Sequence, residues 1–321
     1  MPDASTGMIV TIGEILVEIM AETPGQGFRE PLPLIGPFPS GAPAIFIDQV
    51  ARLGAPAGMI ACVGDDDFGR LNIERLQRDG VDVGAIRIDP DLVTGSAFVR
   101  YREDGERDFV FNIRHSASGA MRIDDAAERL LRSCRHLHVM GSSLFSDHLI
   151  EAANGAVARV RDSGGTVSFD PNVRKEILRA PGMRAALQEM LRRCDIFLPS
   201  GPELTLLTTA TDEAGAIAEI LALGVREIVV KRGADGASHY DRDGAHHAPA
   251  FGVAEIDPTG AGDCFGATFV TCRLMGMGAA DSLRYATASG ALAVGVRGPM
   301  EGASSFADLD ALISSQAGDA T

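Results

Sequence analysis

Asp257-Pro258-Thr259-Gly260-Ala261-Gly262-Asp263 is the stretch of this sequence best equipped for chemistry. Asp257-Pro258 ends an extended segment, because proline lacks an amide hydrogen and holds its predecessor extended. Gly260, Ala261 and Gly262 let the backbone approach a ligand closely. From Asp263 onward, Phe265, Phe269, Val270 and Leu274 recur at helical spacing, which predicts a helix starting here. The unpaired amides and partial positive charge of a helix start suit an anion. A carboxylate beside them, Asp263, is placed to accept a proton from a hydroxyl attacking that anion. Donors for the transferring group and a base for the nucleophile are what phosphoryl transfer requires. On spacing alone, a glycine turn capped by an aspartate is the alternative. Two other phosphate motifs do not fit. There is no Gly-x-x-x-x-Gly-Lys-Ser/Thr, and Gly266 falls one residue late for the dinucleotide pattern.

Three further groups carry both a chemical and a structural reading. Asp170-Pro171-Asn172-Val173-Arg174 ends an apolar segment, either as a simple turn or as a ligand contact at a strand end. Ser200-Gly201-Pro202-Glu203 has the spacing of a capping box. Lys231-Arg232-Gly233-Ala234-Asp235-Gly236 is a turn between strands whose glycines admit a close neighbour. His136 with His138 and His246 with His247 lack a third ligand at metal spacing, Cys264 has no activating partner, and the acidic run Asp65–Asp67 favours the start of a helix.

The elements that must position these residues follow from periodicity. Met8–Gly13, Gly58–Val63, His136–Met140, Thr166–Asp170, Asp195–Pro199 and Glu227–Lys231 are short apolar runs with the character of buried strands. Helical patterns at Ser40–Leu53, Gly64–Arg78, Asp124–Ser133, Asp147–Asp162, Pro181–Arg193, Thr211–Leu223 and Ala279–Arg297 alternate with them. That order predicts an α/β fold with a mostly parallel sheet wrapped by helices, and ligands beyond the carboxyl ends of its strands. Ala21–Pro39 is loop or short exposed strand, and Ser96–Tyr101 with Arg107–Ile113 is a hairpin turning at Glu103–Glu106.

Composition narrows the partners. The 321 residues carry 45% hydrophobic side chains and a formal charge of -15. Such a charge repels nucleic acid and anionic membrane surfaces, so an anionic substrate needs a local cluster of donors. Five cysteines without paired spacing predict reduced thiols, and the absence of a leader or long apolar run predicts a cytoplasmic protein.

The Asp257–Asp263 run resembles the C-terminal signature of the ribokinase (PfkB) family of carbohydrate kinases. Leu53-Gly54 through Gly64-Asp65-Asp66-Asp67-Phe68-Gly69 to Gly80-Val81-Asp82 resembles its N-terminal signature. The resemblance covers nearly the whole chain and implies a ribokinase-like three-layer α/β/α domain (residues 1–14, 40–93 and 115–321). Residues 15–39 and 94–114 would then form a discontinuous β lid over the sugar and a homodimer surface. It implies Asp263 as the base, the amides of Gly260, Ala261 and Gly262 as the anion hole, and Arg174 on the phosphoryl oxygens. Lys231, Gly233, Gly236 and Thr259 would bind ATP. Glu203 would organise water around Mg2+, and Asp257 would bind a monovalent cation such as K+. At the sugar end it implies Glu14, Glu18, Gly41, Arg114, Asp170 and Asn172. Ser40, Ile45 and Ser200 depart from the family pattern. The implied acceptor is a ketohexose of the fructose or tagatose type, or a keto-sugar acid of the 2-keto-3-deoxygluconate type. A sensor that kept the fold without catalysis, or a nucleoside kinase, are the alternatives.

Overall fold

The computed structural model describes residues 7–23, 25, 27–102, 107–173 and 182–316. Arg174, Pro181 and the turn expected at Glu103–Glu106 lie outside the described residues. The strands are β1 (Met8–Ile12), β2 (Leu16–Ala21), β3 (Leu34–Ser40), β4 (Ala57–Gly64), β5 (Asp82–Asp89), β6 (Gly95–Tyr101) and β7 (Arg107–Asn112). They continue with β8 (Cys134–Met140), β9 (Thr166–Asp170), β10 (Ile196–Phe197), β11 (Glu227–Lys231), β12 (Ala237–Tyr240) and β13 (Ala245–Ala248).

Among the described residues, nine strands form one sheet in the order β13-β12-β11-β10-β9-β8-β1-β4-β5. All neighbours from β11 to β5 run parallel, whereas the β11–β12 and β12–β13 pairings are antiparallel. Alternate side chains of one strand feed two cores, as the two-residue period demands. In β4, Ile60 and Cys62 pack into one core with helix Asp147–Asp162, whereas Met59, Ala61 and Val63 pack into the other with helices Ala42–Arg52 and Ala261–Leu274. Helices therefore cover both faces, giving the α/β/α layering.

The parallel strands bring their carboxyl ends to one edge, and chain order reverses between β1 and β8. The crevice at such a reversal is where ligands bind in open α/β sheets. Glu14 follows β1 there, and the segment Gly141–Ser143 follows β8.

A separate four-stranded sheet has the order β3-β2-β6-β7. β3 tolerates Pro37 and Pro39 because it is an edge strand paired only with β2. Leu16 and Glu18 share one face of β2, and that face lines the cleft described below.

Differences from the sequence reading have local causes. β5 was not foreseen, since Asp82, Gly84 and Asp89 dilute its apolar pattern. β13 (Ala-His-His-Ala) and helix Phe306–Ser315 were also unforeseen. The helix expected to reach Arg297 stops at Val294, before Gly295. The helix expected from Pro181 begins at Met183, after Gly182 in the left-handed region.

Candidate active site

Helix Ala261–Leu274 is buried on every side from Asp263 to Cys272. Phe269 is fully buried in its core, a contribution of about 1.5–3 kcal/mol from one side chain. The helix start is consequently fixed in space. Gly260 caps it with φ 81°, and a Cβ there would lie 2.2 Å from the Pro299 carbonyl oxygen. Only glycine satisfies both conditions. Gly260→Ala is expected to destabilise the fold by at least about 1–2 kcal/mol, the cost of left-handed backbone for an L-residue. Urea unfolding of the variant beside the parent protein measures that loss.

A cleft of ≈ 810 Å³ opens at the carboxyl edge of the large sheet, and the small sheet supplies one wall. Gly260, Ala261, Gly262 and Asp263 form part of its floor. Asp263 is 8% exposed and accepts a hydrogen bond from Asn172 Nδ2 at 3.3 Å. Asn172 has φ 37°, a conformation asparagine tolerates better than most residues, and its amide donates to Asp170 Oδ1 at 3.0 Å. That turn brings residues 91 positions apart in sequence to the same point.

Lys231 comes to this point as well. Its ammonium pairs with the Asp170 carboxylate, which is 1% exposed. A Cβ placed on Gly262 would stand 3.7 Å from Lys231 Nζ, so the charge lies against the glycine turn. Burial alone would lower the Lys231 pKa, but the carboxylates of Asp170, Glu203 and Asp263 reverse the shift and raise it, keeping the ammonium charged. Burial pushes Asp170 up to about 6, against the opposing pull of Lys231. Lys231, expected at the nucleotide, lines the cleft together with Gly233 and Gly236.

Glu203 reaches back to its own helix start, accepting from the Ser200 amide at 2.7 Å and the Ser200 hydroxyl at 2.6 Å. Its other oxygen accepts from the Val173 amide at 2.6 Å. Three of roughly four acceptor positions are thereby used. Gly233 faces open space in the cleft, whereas Gly236 (φ 80°) is demanded by packing: its Cβ would meet the Ala248 oxygen at 2.1 Å. Thr287, Gly290, Ala291 and Val294 of helix Ala279–Val294 complete this end.

At the opposite end Glu14 and Glu18 are both buried and both line the cleft. Ser142 donates to Glu14 Oε1 at 2.8 Å and Ser143 to Glu14 Oε2. Ser40 donates to Glu18 Oε1 at 2.8 Å, which gives that departure from the family pattern a structural role. Gly41, Ile45 and Phe111 join this wall, with Arg114 exposed at its rim. Among the described candidates only Asp257 is absent from the cleft wall, being wholly buried.

Three other chemically suggestive side chains are bonded or buried away from the cleft. His136 bonds Thr166 and Ser168 through its two ring nitrogens, and burial lowers its pKa to about 3. Cys264 is buried, and desolvation followed by the Asp263 charge drives its thiol well above the ordinary range. Asp66 caps its helix through the Gly69 amide at 2.8 Å. Sequence reasoning did not find Ser142, Ser143, Tyr101 or Arg107, all of which contact candidate residues more than a hundred positions away.

Residues 7–305 match the pfkB family carbohydrate kinases. The chain belongs to this family. Among relatives, it is 33% identical over 300 residues to a 2-dehydro-3-deoxygluconokinase of Thermoproteus tenax, covering 91% of this chain and 90% of that one. An E. coli protein provisionally named Ribokinase II, solved with ATP and Mg2+, is 51% identical, with TM-score 0.92 over 96% of this chain and 99% of that one. A fructokinase double mutant from Vibrio cholerae O395, solved with fructose, ADP and a potassium ion, is 25% identical, with TM-score 0.81 over 96% and 98%. The family's fold accounts for the two sheets and their layers. No helix among the described residues is long and apolar enough to cross a membrane.

Proposed function

We propose that this chain is an ATP-dependent sugar kinase that transfers the γ-phosphoryl group to a primary hydroxyl of a ketohexose or keto-sugar acid. One observation carries the reading. Asp263, the Gly260–Gly262 turn and the charged Lys231 converge on the floor of a single cleft.

Each residue has a task in that reaction. Asp263 accepts the proton of the attacking hydroxyl, and Asn172 orients its carboxylate. The amides of Gly260, Ala261 and Gly262 donate to oxygens on which charge accumulates. Lys231 adds a full positive charge beside them, with Asp170 holding it in place until the phosphates arrive. The segment from Lys231 to Gly236, Thr259 and the small residues of helix Ala279–Val294 make the nucleotide end. Mg2+, when bound, neutralises phosphate charge. Glu203 retains room for a water in that ion's shell, since the described residues use three of its roughly four acceptor positions. Glu14, Glu18, Gly41 and Arg114 would contact the sugar, and Arg174 the phosphoryl oxygens.

Two features support a moving cover and a dimer. The small sheet forms a wall of the cleft, so its closure would exclude water from the transfer. Leu34 and Val110 stand exposed on that sheet, available to a second copy.

ADP release with fructose, tagatose, 2-keto-3-deoxygluconate, ribose and a set of nucleosides tests the assignment. Turnover is expected with a ketohexose or a keto-sugar acid. Silence across the panel from protein that binds ATP would favour a sensor, and turnover confined to nucleosides would replace the sugar assignment.

A further inference from the structure

Two side chains outside every motif reach from the small sheet to the turn that opens the anion hole. Tyr101 ends β6, Arg107 begins β7, and the two are direct partners across the antiparallel ladder. The Tyr101 hydroxyl donates to Asp257 Oδ1 at 2.9 Å, and Arg107 Nη1 donates to Thr259 Oγ1 at 2.7 Å. Asp257 is 0% exposed. Its Oδ1 also accepts from the Thr259 amide at 3.0 Å, and its Oδ2 from the Gly298 amide at 3.0 Å.

This is the place where the family resemblance puts a monovalent cation, and the donor set fits one poorly. Potassium is held by oxygen lone pairs directed at the ion. Here the carboxylate is met by three hydrogen-bond donors, and the next hydroxyl along the turn is met by a guanidinium. Arginine stays charged at every working pH. Burial, then the Asp257 charge, holds the Tyr101 phenol above its ordinary range, so it remains a neutral donor. The two side chains that the small sheet brings to the turn thus supply a donated hydroxyl hydrogen and a guanidinium charge.

We propose that Tyr101 and Arg107 hold the Asp257–Gly260 turn in place of a monovalent cation, so that catalysis does not require potassium and the small sheet itself completes the anion hole. The geometry gives this a direct route. Thr259 immediately precedes Gly260, whose left-handed backbone sets the direction of the next amides. Fixing Thr259 therefore fixes the donors. Arg107 lines the cleft beside Gly260 and adds positive potential where phosphate charge grows. The same sheet carries Leu16, Glu18 and Phe111 on the acceptor side of the cleft. Seating the sheet on an acceptor would thus align the anion hole, coupling acceptor binding to transfer.

The test compares the parent protein, Arg107→Met, Arg107→Lys and Tyr101→Phe in potassium chloride and in tetramethylammonium chloride at equal ionic strength. Acceptor-dependent ADP release, ATP affinity and thermal melting are read for each. This inference rests on the kinase reading only for the first readout. The parent kcat is expected to change less than about twofold between the salts, and its melting temperature to be the same in both, because a bound ion would stabilise the fold. Arg107→Met is expected to lose about 10²-fold in kcat, the scale of a misplaced catalytic group, with unchanged ATP affinity. Arg107→Lys should recover part of that loss, and Tyr101→Phe should lose less than Arg107→Met. Potassium activation or stabilisation of the parent protein would overturn the proposal, as would a fully active Arg107→Met. Should no acceptor support turnover, the kinase reading fails first. Melting then decides separately: potassium stabilisation of the parent protein contradicts the cation substitution, and salt-independent melting that becomes potassium-dependent in Arg107→Met upholds it.

Discussion

Asp263→Asn is expected to lower kcat by about 10²- to 10⁴-fold, the usual contribution of a positioned general base. ATP affinity should stay within about threefold of the parent value, because the substitution removes a transition-state interaction and leaves nucleotide contacts intact. The variant is nearly isosteric. Its side-chain oxygen can still accept from Asn172 Nδ2, and Asp263 sits in a helix whose burial does not depend on the charge. Loss of turnover with a parent-like melting temperature would therefore report chemistry rather than folding. Near-parent turnover in a clean preparation would remove Asp263 as the base.

The second large effect is expected at Lys231, where stability and catalysis must be separated. Lys231→Met leaves Asp170 as a buried carboxylate without its counter-charge, a change that typically costs about 3–5 kcal/mol. The single variant is thus expected to be both unstable and inactive. Adding Asp170→Asn removes the orphaned charge and should restore most of the stability. It should not restore turnover. The double variant is expected to remain about 10²- to 10³-fold below the parent in kcat, the scale of losing one group that stabilises charge in the transition state. Urea melts and ADP release on the parent, Lys231→Met, Asp170→Asn and the double variant give both quantities. Recovery of kcat along with stability would make Lys231 a structural partner of Asp170 and nothing more.

Much of this site was legible because its key parts are short and continuous. The run from Asp257 to Asp263 announces its own helix start through proline, glycine and apolar spacing, and the parallel order of strands and helices says at which sheet edge it must lie. Asp170 and Asn172 were legible for the same reason, as a turn ending a buried strand. What escaped notice depends on contacts made across the chain. Nothing near Lys231 in sequence says that its ammonium meets Asp170, 61 positions away. Nothing near Tyr101 points to Asp257, 156 positions on. Ser40 looked like a lost glycine, yet its hydroxyl fixes Glu18 across the small sheet's first two strands. Strand β5 was hidden because it is an edge strand of the large sheet whose Asp82, Gly84, Arg87 and Asp89 break up both an apolar run and a regular alternation.

The central claim is a meeting of groups: one carboxylate and three successive amides around a single transferring phosphorus. A crystal structure with ADP, Mg2+, a fluoroaluminate in place of the phosphoryl group and the acceptor chosen by the panel tests it most directly. The account predicts the fluoroaluminate within about 3 Å of the amide nitrogens of Gly260, Ala261 and Gly262, with the acceptor oxygen about 3 Å from the Asp263 carboxylate. A fluoroaluminate seated away from that turn, or an acceptor oxygen facing a different base, would contradict it.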